Sequence, residues 1–258
     1  MKNNNKFRLD VWGAITLGTI ALYALFLLYP MAYLIRQSVL DPDTGGFTLA
    51  YFTKFFSKSY YFDTLINSFK VSITATVLSI AIGTPLAYLF TIFKIKGKSV
   101  LNILIVVASM SAPFIGAYSW ILLLGRSGII TTFFKNLGIA IPDIYGFGGI
   151  VLVMTLQLFP LVFLYAKGAL KNIDNSLIEA AENLGCSGIA CFFKVVVPLI
   201  MPTLLAAALL VFMRSFADFG TPMLIGEGYR TFPVVLYTEF INEVGGSDGF
   251  AAAIAVIA

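Results

Sequence analysis

Histidine is absent from this 258-residue chain, and only 12% of the residues are charged. The first absence excludes imidazole acid–base chemistry, His-dependent hydrolytic triads and most zinc sites. The second excludes an ordinary soluble domain, in which roughly a quarter of residues are charged and about half are apolar. Here 59% are hydrophobic, 24 of them Phe, and the solvent that suits such a surface is lipid. Cysteine is scarce as well. Cys186 and Cys191 have neither CxxC spacing nor further thiols to complete a metal site, so they read as reduced cytosolic thiols, and no metal or cofactor is expected. Although the net charge is +4, the 17 Lys and Arg are scattered beside apolar runs and not clustered on one polar face. They therefore read as membrane flanks, and nucleic acid is not an expected partner.

What remains is apolar and long. A hydrocarbon layer of roughly 30 Å needs about 20 apolar residues in a helix. Five windows meet that length, Val11–Ile35, Val71–Phe93, Ser99–Gly125, Ile144–Ala166 and Val195–Met213. A sixth, Phe250–Ala258, supplies nine apolar residues before the sequence ends, so the reading is a six-span all-α polytopic membrane protein with its sixth span truncated. The first window has 25 residues, too many for the 7–15 of a cleavable signal peptide, and reads as an uncleaved anchor. No linker or internal repeat divides residues 1–258, which are expected to form a single transmembrane domain. With the N-terminus inside, basic residues number nine inside and eight outside. The inside ones (Lys2, Lys6, Arg8; Lys94, Lys96, Lys98; Lys167, Lys171, Lys194) lie in the shorter segments, which favours a cytoplasmic N-terminus.

Within the second window, Ser72, Thr76, Ser79, Gly83 and Ala87 recur at steps of three or four and form a stripe suited to close helix packing. Lining a substrate path is the alternative. Pro85, Pro113, Pro160 and Pro202 fall inside spans and are expected to bend them. None of the five complete windows contains an ionisable Asp, Glu, Lys or Arg, which argues against proton or ion coupling inside the membrane. Gly97-Lys98-Ser99 imitates the end of a P-loop, but the glycine required five places earlier is Ile92, so the chain has no nucleotide site of that type.

The inside loop 167–194 carries the most information. Ser176 followed by Glu179 reads as a capping box that starts a short helix at Leu177, and Gly185 suits the left-handed residue that ends it. Two turns cannot persist alone in water, so this helix must dock. Glu179-Ala180-Ala181, three residues, Gly185, nine residues and Val195-Val196-Val197-Pro198 form a spaced pattern. It resembles the EAA loop of binding-protein-dependent ABC transporter permeases, with Val195 and Val197 in place of the usual Ile and Leu.

The resemblance implies a permease subunit of an ATP-driven importer in a bacterial cytoplasmic membrane. It implies a loop whose Glu179, Ala180, Ala181, Gly185 and Pro198 engage separate cytosolic ATPase subunits, with a second permease unit and an extracytoplasmic solute-binding protein as further partners. The stretch Ser215–Gly226 and Tyr229–Pro233 also looks like the ferric iron, polyamine, thiamine and aminoethylphosphonate branch, in which two permease units are sometimes fused. Ferric iron is the preferred solute on that likeness. Arg214 and Asp218, four apart, read as an interfacial ion pair, and Gln157 as an interhelical hydrogen-bond donor; for all three the alternative is a substrate path or gate. A rival reading, a membrane-embedded lipid-modifying enzyme, would draw on carboxylates such as Asp143 and Asp218, but no catalytic spacing joins them.

Overall fold

The computed structural model describes residues 11–41, 44–93, 96–110, 112–241 and 248–257. The basic residues Lys2, Lys6, Arg8 and Lys94, on which the orientation partly rests, lie outside the described residues, as does Ala258. Helices dominate, and among the described residues the only β-pairing is an isolated bridge between Leu40 and Phe47. Five stretches are long and apolar enough to cross a membrane: Val11–Ser38, Ser59–Ile92, Phe114–Asn136, Phe147–Lys171 and Gly188–Ala217. The chain is thus an all-α polytopic membrane protein. Its helices are α1 (Val11–Ser38), α2 (Ala50–Ser57), α3 (Ser59–Ile92), α4 (Lys98–Ser109), α5 (Pro113–Leu124), α6 (Ile129–Asn136), α7 (Phe147–Lys171), α8 (Asn175–Asn183), α9 (Gly188–Ala217), α10 (Gly220–Ile225), α11 (Phe232–Ile241) and α12 (Asp248–Ile257). Cys186 and Cys191 are free thiols.

The chain divides into two compact units, Met1–Phe62 with Leu236–Ala258, and Asp63–Val235. In the first, α12 packs on the second half of α1 and on α2. Its buried anchor is Phe250, which meets the Tyr61 ring edge-on at 5.0 Å and lies 4.1 Å beneath Lys54 Nζ. Tyr61 also donates to Glu239 Oε1 at 3.1 Å. The α1 helix buries none of its apolar window, as expected of a helix whose solvent is lipid.

The second unit holds two apolar clusters. One joins α3, α7 and α9 through Phe90, Phe163, Phe192, Val196 and Ile200; the other joins α3, α5, α7 and α10 around Val71, Ala117, Met154 and Ile225. The stripe on α3 is buried, with Ser72, Ser79 and Ala87 fully inaccessible. A Cβ placed on Gly83 would lie 2.9 Å from Phe159 O and from Val162 Cβ on α7. The stripe is a helix-packing face within this unit, and not a path lining. Near the start of α11, the backbone N–H of Phe232 donates to the buried Ser68 Oγ at 2.8 Å. Ser68→Ala should therefore strand a buried donor and cost about 1–3 kcal/mol, read as a lowered thermal midpoint in detergent.

The prolines behave differently from one another. Pro85, Pro160 and Pro202 remain inside α3, α7 and α9. Pro113 does not. The expected span Ser99–Gly125 is two helices, α4 ending at Ser109 and α5 beginning at Pro113, with Ala112 extended at φ −69°, ψ 142°. The physical cause is the steric demand of a proline ring on the preceding residue, which is pushed out of the helical region. The expected fifth span also starts earlier than its apolar window: α9 begins at Gly188, so Lys194 sits inside a helix and not at its flank. A π-helical turn, Phe192–Val196, comes just before Pro198, as Ala24–Leu28 comes before Pro30 in α1. In both places the wider turn makes room where a proline ring would otherwise press on the carbonyl four residues back.

Candidate functional site

Where α9 ends, the chain turns at Asp218 (ψ 117°) and re-enters the helix α10. Departure from helical geometry removes the i,i+4 relation that an Arg214–Asp218 ion pair requires, and that expected pair is not formed. The Asp218 carboxylate instead caps α10. Its Oδ1 accepts from the backbone N–H of Gly220 at 2.9 Å and of Thr221 at 3.3 Å, and its Oδ2 accepts from Thr221 Oγ1 at 2.7 Å. Burial pushes the Asp218 carboxyl above the ordinary carboxylate value, against the opposing pull of those hydrogen bonds.

Arg214, Asp218 and Gln157 line one cavity of about 450 Å³ together with Ser109, Phe114 and Phe219. Ser109 and Phe114 flank the break before Pro113, so the interruption between α4 and α5 supplies one wall. Broken helices at membrane depth are tolerated where they border a protein-lined or wet space. The Phe114 and Phe219 rings meet edge-on at 5.1 Å. Gln157 makes no hydrogen bond among the described residues, so the interhelical bond expected of it is absent. Arg214 is exposed and has no carboxylate within ion-pair distance among the described residues. The cavity thus presents one unpaired guanidinium, one carboxylate already engaged by three donors, and one unengaged amide. Sequence reasoning missed Ser109, Phe114 and Phe219; the residue pair before Pro113 was the available signal, through the restriction a proline places on its predecessor.

Asp218 gives a prediction with a definite sign. Its folded-state value is raised, so between the ordinary value and the raised one the folded chain binds more protons than the unfolded chain. Its contribution to stability is therefore greatest at low pH and falls as pH rises through that window. Asp218→Asn keeps an acceptor for the cap and should flatten that slope, whereas Asp218→Ala should flatten it too and also cost about 0.5–2 kcal/mol through the lost cap. Thermal melting in detergent across a pH series checks both.

The second site is the segment 172–198. The helix α8 runs Asn175–Asn183, two residues earlier than the expected start at Leu177. Its cap is Asp174, whose Oδ1 accepts from the Ser176 N–H at 3.0 Å, and not Ser176 paired with Glu179. Both residues are good cap formers; the one standing two positions before the first free N–H prevails. The hydrogen bonds from Ser176 hold the Asp174 carboxyl below its ordinary value. Gly185 adopts φ +84°, and Cys186 N–H reaches back to Ala181 O at 3.0 Å, the six-to-one bond of a Schellman ending. Ile178 packs against the α3/α7/α9 cluster, while Leu177 and Leu184 stay exposed, Leu184 at 90%. Glu179 is exposed and free of the cap; it lines a cavity of about 320 Å³ with Tyr88 and Thr91 of α3 and Leu170 of α7. Ala180 and Ala181 share this helix, and Pro198 lies in α9 just past its π turn.

Arg126 joins Asp143 and Glu227, each at 2.9 Å, in an exposed three-residue network. Asp143 is thus committed to an arginine, and it does not line the cavity that holds Asp218. The two carboxylates on which an enzymatic reading would draw are not brought together.

Comparison with known proteins identifies the family. The family described as binding-protein-dependent transport system inner membrane component matches residues 46–258. The ferric transport system permease protein FbpB of Actinobacillus pleuropneumoniae is 28% identical over 96% of this chain, and the chain spans 35% of that protein's length. The Haemophilus influenzae protein FbpB 1, whose name also refers to ferric transport, is 28% identical, with 36% of its length spanned. The spermidine/putrescine transport system permease protein PotB of Haemophilus influenzae is 29% identical over 97% of this chain and 89% of its own. Among solved structures, a bacterial alginate ABC transporter in complex with an alginate pentasaccharide-bound periplasmic protein aligns with a TM-score of 0.76 over 96% of this chain, at 16% identity, which speaks to the fold. The chain belongs to the binding-protein-dependent transport system inner membrane component family.

Proposed function

We propose that this chain is a permease subunit of an ATP-driven importer and carries no bond-making chemistry of its own. ATP is hydrolysed by separate cytosolic subunits that dock on the segment 172–198. A solute-binding protein delivers the cargo outside, and a second permease unit, identical, paralogous or fused, completes the pathway. The observation that carries this reading is the match of the family to residues 46–258 together with the intact Glu179-to-Pro198 spacing. In this reading the N-terminus is cytoplasmic. In a Cys186→Ser, Cys191→Ser background, a cysteine introduced at Asn172 should be shielded from an impermeant thiol reagent in intact cells and one at Thr44 should react; the reverse pattern overturns the orientation.

For the cargo we favour ferric iron travelling with anionic ligands. The FbpB relatives support this, and so does the cavity, where the unpaired Arg214 would attract anionic oxygen and Asp218, the one carboxylate lining it among the described residues, is already engaged. A bare polycation would want several free carboxylates. The second reading, spermidine or putrescine, rests on PotB, of which the chain spans 89%. Uptake of labelled iron and of labelled spermidine by cells lacking and regaining this chain decides between them. Iron uptake restored without spermidine uptake is the expected result. Spermidine uptake alone would replace the cargo, and restoration of neither, with the protein inserted, would remove both.

A further inference from the structure

A third cavity, of about 350 Å³, is lined by Lys98, Lys167 and Lys171 together with Thr91, Ser99 and Asn102. It lies where three helices end or begin: α3 closes at Ile92, α4 opens at Lys98, and α7 closes at Lys171. Among the described residues no carboxylate lines it, and none of its three lysines has an ion-pair partner. Lys167 is aimed and not free to roam. Its Nζ donates to Asn102 Oδ1 and stands 5.4 Å from the centre of the buried Phe163 ring. The N-terminus of α4 contributes as well. Gly97 holds φ +79°, and among the described residues no side chain caps the first turn, so the opening N–H groups of a 12-residue helix lie beside Lys98 and Ser99. Uncapped helix N-termini favour anions, and phosphates above all.

We infer that this lysine pocket binds the phosphate headgroup of an anionic membrane phospholipid. Two observations select a lipid over a soluble anion. The pocket sits at the ends of the apolar helices α3 and α7, the level at which hydrocarbon gives way to headgroups. Beside it on α4, Val100 and Ile103 are about 60% exposed, at 61% and 60%, and offer an apolar surface along which acyl chains can lie. The site is separate from the cavity of Arg214 and Asp218 and does not depend on the identity of the cargo.

The test uses the full chain purified in mild detergent and given phosphatidylglycerol or phosphatidylcholine of the same acyl composition, with retained lipid counted by native mass spectrometry. Phosphatidylglycerol should be retained in preference. Retention should fall about fivefold for each of Lys98→Gln, Lys167→Gln and Lys171→Gln, and roughly thirtyfold for two together. Lys→Arg at the same positions should restore it, and Lys135→Gln, on α6, should leave it unchanged. Helix content and elution volume identify any variant that has failed to fold, and the arginine variants then carry the test. Equal retention of the two lipids, or retention indifferent to the lysines, overturns the proposal. Displacement of phosphatidylglycerol by millimolar inorganic phosphate would also overturn it, in favour of a soluble anion.

Discussion

Glu179→Ala in the assembled importer should lower uptake, and the stimulation of ATP hydrolysis by loaded binding protein, by about 5–150-fold, while the protein remains inserted at wild-type abundance. Glu179 does not hold α8 together. Asp174 caps α8, so removing the Glu179 side chain leaves the start of that helix intact. The Schellman bond from Cys186 N–H to Ala181 O holds the other end without it. Glu179 lines a cavity with Tyr88, Thr91 and Leu170 but has no ion pair there among the described residues, so a loss of function at unchanged abundance points to a contact outside the chain. The helix is built for such a contact, since Ile178 anchors it to the membrane unit while Leu177 and Leu184 remain uncovered beside the carboxylate. Coupling free energies between two sites are commonly about 1–3 kcal/mol, or 5–150-fold, and a docking face reduced in this way should lower uptake by that factor. Gly185→Val acts by another route. There is open space around a Cβ at Gly185, so its cost arises from forcing a branched residue to φ +84°, about 1–2 kcal/mol. Gly185→Asn tolerates that conformation better and should retain more uptake. Wild-type uptake by Glu179→Ala would end the assignment of this segment to coupling.

Local signals were the legible ones. Gly185 was readable because a helix end followed by a left-handed residue is a property of a few adjacent positions, and the structure has it at φ +84°. The cap was misread because Asp174 and Ser176 are both good cap formers two residues apart, and the capping-box pattern weighs Ser176 with Glu179 while ignoring the nearer choice. Four prolines looked alike in sequence, yet only Pro113 separates two helices; the others sit in helices whose neighbouring turns continue on both sides. The cavity was beyond periodicity altogether. Gln157 and Arg214 face it from different helices, and the wall made by Ser109 and Phe114 exists because the chain leaves the helix between them. The expected Arg214–Asp218 pair failed for the complementary reason, since it assumed that the helix continued through Asp218.

Gly83 should be the least tolerant position on α3. Lipid tails are as apolar as side chains, so helices in a membrane gain little from hiding apolar surface and depend on close fit. The α3–α7 contact has that fit: an added Cβ at Gly83 would stand 2.9 Å from Phe159 O, 2.9 Å from Val162 Cβ and 3.0 Å from Phe163 N. Two of those three neighbours are backbone atoms, so no rotamer change can clear the space and the helices must part. Gly83→Ala should therefore cost about 1–3 kcal/mol as overpacking, despite the better helix propensity of alanine. Gly83→Leu should prevent accumulation of folded protein, because parting the helices would also open the cluster of Phe90, Phe163 and Phe192. Gly168 on α7 is the internal control. Nothing lies within 4 Å of its added Cβ, so Gly168→Ala should be neutral or stabilising by about 0.5–1 kcal/mol. Ser79 is a second control, since among the described residues its buried hydroxyl has no hydrogen-bond partner and Ser79→Ala removes an uncompensated desolvation without adding volume. The measurement is the thermal midpoint by fluorescence-detected elution in one detergent. A Gly83→Ala midpoint at or above that of Gly168→Ala would show that α3 and α7 are not in the close contact on which the argument rests.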